Sequence, residues 1–137
     1  MLPFFVGDDG ALRGPAGDGR VAAVARDDVA ACAAEVLRDP VPHAGATYDL
    51  TGPEAITLGE AAAVIGEHQG RPVRFEDETV EEAYASRRAW DAPQWQYDAW
   101  VSTYTAIAAG ELAEVTDHVE RLSGRPPLDL AAVLAAG

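Results

Sequence analysis

The chain has 137 residues, 48% of them hydrophobic, with 23 acidic against 10 basic side chains and a formal charge of -13. That length suits one domain with a single core, and an acidic surface with no basic face argues against nucleic acid and anionic membrane as partners. All ten basic residues are arginine, which removes every mechanism needing a lysine amine within the chain, and a single cysteine, Cys32, rules out an internal disulfide.

A cytoplasmic setting is the expectation. Residues 1–6 are apolar but too short for a signal core and run straight into Gly7-Asp8-Asp9-Gly10. No stretch approaches the ~20 apolar residues of a membrane span.

In chain order, residues 7–10 read as a turn, 11–13 as a short extended segment, 14–19 as a glycine-rich loop and 20–25 as a strand. From Asp27 or Asp28, which is expected to cap it, a helix carries Val29, Cys32, Ala33, Val36 and Leu37 on one apolar face. Pro40 and Pro42 end it. Residues 47–50 read as a strand closed by Thr51-Gly52-Pro53. Thr57-Leu58-Gly59-Glu60 has capping-box spacing and opens a helix over 58–69, with Gly70 as its left-handed stop. Residues 73–75 form the next expected strand, and Thr79-Val80-Glu81-Glu82 repeats the capping box. Beyond Pro93, Tyr97, Trp100, Val101, Tyr104, Ile107 and Ala108 share a helical face. A short helix over 116–122 ends at Ser123-Gly124, and Asp129 caps a last one. Strands alternating with helices predict α/β architecture.

The run from Gly14 to Ala30, with Arg20-Val21-Ala22-Ala23-Val24-Ala25 leading into Asp27-Asp28-Val29-Ala30, resembles a late segment of NmrA-like proteins, a branch of the atypical short-chain dehydrogenase/reductases. Tyr48-Asp49-Leu50-Thr51-Gly52-Pro53-Glu54, then Ile56-Thr57-Leu58-Gly59-Glu60-Ala61, Gly70-Arg71-Pro72-Val73 with Phe75, and Ser123-Gly124-Arg125-Pro126-Pro127 fit the same family in order and spacing. Within it, the chain looks most like the quinone-reductase-like NAD(P)H-binding proteins. The resemblance implies the C-terminal portion of a Rossmann-type NAD(P)-binding fold: short strands alternating with helices, a helical C-terminal part, and residues 1–137 forming one substrate-side region.

Two departures bear on function. The family's Gly-rich turn follows the first strand and opens a helix, so that amides face the pyrophosphate; Gly14-Pro15-Ala16-Gly17-Asp18-Gly19 instead precedes a strand and reads as a hairpin-like loop. The Tyr-x-x-x-Lys pair of related reductases is impossible without lysine.

The resemblance makes Arg20 and Arg26, which flank the strand that reaches the cofactor cleft in the family, candidates to face a cofactor phosphate or an anionic substrate. Phe4, Phe5, Trp90 and Trp95 lie near turns and suit the wall of a pocket for a planar quinone-like substrate, whereas helical spacing makes Trp100 and Tyr104 core residues. His43, His68 and His118 are isolated, so no metal site is expected. Ser86, Ser102 and Ser123 lie in no nucleophile elbow, and no catalytic residue is assigned.

The expected function is the substrate-side portion of an NAD(P)-dependent oxidoreductase acting on a quinone or carbonyl compound, inactive alone. NADP or NAD is expected for the full-length family and neither for this chain by itself. Two alternatives stay open: a redox-sensing NAD(P)-binding module without turnover, and a truncated product without function. The expected partners are a small-molecule substrate and either self-association or pairing with a nucleotide-binding half.

Overall fold

A computed structural model describes residues 6–136. The chain divides into two compact units: residues 6–21 with Ile56–Ala113, and Ala22–Ala55 with residues 114–136.

The first unit is built on two strand pairs. β1 (Ala11–Gly14) runs parallel to β4 (Arg74–Asp77), with Leu12 opposite Phe75 and Gly14 opposite Asp77. β2 (Arg20–Val21) runs antiparallel to β3 (Ile56–Thr57). The 14–19 loop therefore joins strands of two different pairs and is not the hairpin-like connection expected.

Helix α2 (Leu58–Gln69) leads into β4 and packs on it. Its capping box is complete: Thr57 Oγ1 accepts the Glu60 amide at 3.1 Å, and Glu60 Oε2 accepts the Thr57 amide at 2.7 Å. Gly70 ends it at φ 63°. Thr79 and Glu82 open α3 (Val80–Arg87) in the same way, and α4 (Gln94–Ala108) follows. Leu12, Ala16, Leu58, Ala62, Tyr104 and Ile107 form the core, with Val21, Val73 and Phe75 packed against it.

The second unit holds α1 (Arg26–Arg38), a 3-10 turn at Val41–His43, α5 (His118–Ser123) and α6 (Leu130–Ala136). Helices α1 and α5 pack together, burying Cys32 against Val119. Ala25 stands at the N-cap of α1 with no side-chain cap. Asp28 sits inside the first turn, fully buried, because its carboxylate meets Arg125 and the Leu128 amide instead; Asp27 stays in the first turn, where a negative charge suits the helix dipole. Of the expected apolar face, Cys32 is buried and Val36 half-buried, while Val29 and Ala33 are exposed and Leu37 is 78% exposed.

The strand expected over 20–25 stops at Val21, where its ladder with β3 ends, and the Ala22 carbonyl accepts the Gly52 amide. Residues 47–50 form no strand. The Asp49 backbone goes to side chains instead: its carbonyl accepts the Thr116 hydroxyl, and its amide donates to His118 Nδ1. Asp129 caps α6 by accepting the Ala132 amide at 2.7 Å, as expected.

Candidate functional site

The first unit carries an open cleft of about 420 Å³. Strand β1 contributes Ala11 and Arg13, the end of α3 contributes Ser86 and Arg87, the connection to α4 contributes Trp90, and α4 contributes Trp100 and Tyr104. Val6, bridged to Leu12, and Gly7 complete it.

Arg87 is the charged group at the base. It is 6% exposed and both of its terminal nitrogens are used. Nη1 stands 3.0 Å from Glu78 Oε2 and donates to the Ala83 carbonyl and Ser86 Oγ, while Nη2 donates to the Arg13 carbonyl at 3.0 Å. Burying a guanidinium is tolerable only with such partners. Its carbon lies 5.1 Å from the Tyr104 ring centroid, a cation–π contact. Burial pushes the Tyr104 phenol above its ordinary value, against the pull of Arg87. Tyr104 is therefore a neutral phenol at neutral pH rather than a base.

Arg13 is also spoken for, with Nε 2.7 Å from Glu76 and Nη2 on Asp9. That Arg13 bond, helped by the Ala11 amide, lowers the Asp9 carboxyl to about 2. The cleft thus offers flat aromatic walls and guanidinium edges, with the carboxylates already paired. Flat aromatic walls of this kind suit a planar polarisable ring.

Of the residues singled out from sequence, Trp90 lines this cleft. Trp95 is 69% exposed and is not part of it. Phe4 and Phe5 lie outside the described residues. Arg20 does not line the cleft either: it pairs with Glu60, Nη1 to Oε2 at 3.2 Å and Nη2 to Oε1 at 3.3 Å, bracing the capping box of α2. Arg26 is exposed in the first turn of α1, in the other unit. Of Trp100 and Tyr104, both read as core, Tyr104 is 6% exposed and also walls the cleft, whereas Trp100 is only half-buried and belongs to the cleft wall. Arg87 was missed. Its signal is the spacing Ala83, Arg87, which puts an arginine on the buried face of α3.

The 14–19 loop does not fit a dinucleotide. A Cβ on Gly14 would stand 2.2 Å from Tyr104 Cδ1, and one on Gly19 2.2 Å from the Ile107 carbonyl oxygen. The glycines admit α4, not a phosphate. The Gly17 amide already donates to Asp77 at 2.8 Å, and Asp18 adds further negative charge. Among the described residues no cluster of His, Cys, Asp or Glu is arranged to hold a metal, and no helix is long and apolar enough to cross a membrane.

No protein-family model matches the chain. It is 35% identical over 112 residues to an NAD(P)H azoreductase of Xenophilus azovorans, covering 82% of this chain and 39% of that protein. It is 29% identical over 124 residues to quinone oxidoreductase 2 of Escherichia coli, covering 90% of this chain and 43% of that one. The crystal structure of the Escherichia coli NADPH-dependent quinone oxidoreductase matches 98% of this chain with 48% of its own, at a TM-score of 0.85 and 27% identity. The triphenylmethane reductase of Citrobacter sp., solved with NADP(H), matches 94% of this chain with 45% of its own, at a TM-score of 0.81 and 26% identity. The chain spans less than half the length of each of these relatives.

Proposed function

We propose that this chain, whose sequence and fold are those of the C-terminal part of the NmrA-like, quinone-reductase-like NAD(P)-binding reductases, supplies the acceptor-binding wall of an NAD(P)H-dependent oxidoreductase acting on a quinone or similar carbonyl compound. The observation that carries the reading is the cleft walled by Trp90, Trp100 and Tyr104.

A quinone is flat, apolar on both faces and electron-poor, so indole and phenol rings stack on it favourably. Arg87, paired with Glu78, lies against the Tyr104 ring and holds that wall in place. The dinucleotide would have to be held by residues other than those described, because the only glycine-rich loop among them is filled by α4. This favours pairing with a nucleotide-binding portion and a chain that binds its acceptor without turning it over alone.

Calorimetric titration with 1,4-naphthoquinone tests the reading. The expected result is saturable binding that Trp90→Ala weakens about three- to tenfold and Trp95→Ala leaves unchanged. Absence of saturable binding, or equal loss in both variants, overturns it.

A further inference from the structure

We infer that Tyr97 is a positioning residue: its phenol holds the short connection between α3 and α4 in place, and so fixes Trp90 as the outer wall of the cleft. The inference rests on the acceptor reading above for its consequence, but its structural part stands on separate observations.

Trp90 lines the cleft while being 60% exposed, so burial alone does not hold it there. It sits between the end of α3 at Arg87 and the start of α4 at Gln94. Both polar groups of its backbone are tied. The Trp90 amide donates to the Arg87 carbonyl at 3.1 Å, and its carbonyl accepts the Tyr97 hydroxyl at 2.6 Å. The same Tyr97 oxygen accepts the Ala92 amide at 3.2 Å. One phenol thus spends its only proton on one side of the connection and a lone pair on the other.

The aromatic rings continue the arrangement. Trp100 meets Tyr97 edge-on at 5.8 Å and Trp90 edge-on at 6.1 Å. On α4, Tyr97, Trp100 and Tyr104 follow one another at i, i+3 and i+7, which places all three along one side of the helix. Tyr104 is the base of the cleft, Trp100 its middle, and Tyr97 the latch beyond its edge. Tyr97 is not itself a lining residue. Its ring reaches the cleft wall through Trp100 and its hydroxyl through Trp90, so removing the hydroxyl alone isolates the route through Trp90.

The test uses Tyr97→Phe, which keeps the ring contact with Trp100 and removes both hydrogen bonds. In protein labelled with 5-fluorotryptophan, with the three resonances assigned from Trp→Phe variants, Tyr97→Phe should move and narrow the Trp90 signal and leave that of Trp95 in place. Naphthoquinone affinity should fall about three- to tenfold, with no further fall when Tyr97→Phe is added to Trp90→Ala. A Trp90 resonance unmoved in Tyr97→Phe overturns the latch whatever the quinone does. A moved resonance with affinity losses that add to those of Trp90→Ala overturns the claim that Tyr97 acts through Trp90. If wild-type protein binds no quinone, the acceptor reading falls, and the fluorine spectrum alone decides the latch.

Discussion

Asp28 and Arg125 form an ion pair of unequal members. Asp28 Oδ1 lies 2.7 Å from Arg125 Nη1; the aspartate side chain is 0% exposed and the arginine side chain 42%. Oδ1 makes no aligned hydrogen bond, whereas Oδ2 accepts the Leu128 amide at 2.8 Å. The pair fastens α1 to the chain that follows α5, and it is what turns Asp28 inward from the capping position.

The inequality gives a direction. Arg125→Ala leaves a carboxylate buried and without a counter-charge, and should cost about 3 kcal/mol. Asp28→Asn leaves a guanidinium already partly in water and keeps an acceptor for Leu128, and should cost about 1 kcal/mol. Urea unfolding of the two variants checks the order; a larger loss in Asp28→Asn contradicts it.

Two glycines separate close packing from mere tolerance. Gly14→Ala drives a methyl into the Tyr104 ring, at 2.2 Å from Cδ1, and should cost about 3 kcal/mol while disordering the base of the cleft. Gly59→Ala, in the exposed first turn of α2 with its nearest neighbour 3.8 Å away, should stabilise by about 0.5 kcal/mol. Thermal melting of both variants tells them apart.

Tyr104 sets an alkaline limit. Burial raises its folded pKa, so the unfolded chain releases that proton first as pH rises. Its contribution to stability is fully present below the unfolded value of about 10 and is lost as pH climbs through the higher folded value. Unfolding free energy measured against pH should fall above that point, and Tyr104→Phe should flatten the fall. Tyr84, raised by its bond to Asp98, remains in both proteins and cancels in the comparison. An unchanged slope in Tyr104→Phe contradicts the assignment.

Apolar groups stand open on both units: Leu37 and Val41 on one, Trp95 and Leu112 on the other. Among the described residues each strand pair has two members, with Val6 bridging to Leu12 beside β1. Unpaired edges and uncovered apolar surface favour association, so light scattering should find species larger than a monomer. A monodisperse monomer unfolding cooperatively with more than about 5 kcal/mol of stability would show that the chain needs no partner.

Local chemistry was the legible part of the sequence. Thr57 and Thr79 announce their helices because a hydroxyl and a glutamate three residues on satisfy amides of the same turn, and Gly70 and Gly124 stop helices through a conformation they alone reach cheaply. What depended on distant partners was not legible. Residues 47–50 have strand composition, but the amide and carbonyl of Asp49 are taken by His118 and Thr116. Asp28 has the position of a cap, but Arg125 claims it. Trp100 and Tyr104 were placed on the right face, yet nothing local says that Arg87 comes beneath the same ring.

The most direct test of the account is a pair of titrations on one preparation of the chain, with 1,4-naphthoquinone and with NADPH, read by calorimetry. The account predicts saturable heat with the quinone, weakened in Trp90→Ala, and none with NADPH. NADPH binding with a dissociation constant of about 10 μM or tighter, roughly -7 kcal/mol, together with no quinone heat, would contradict it.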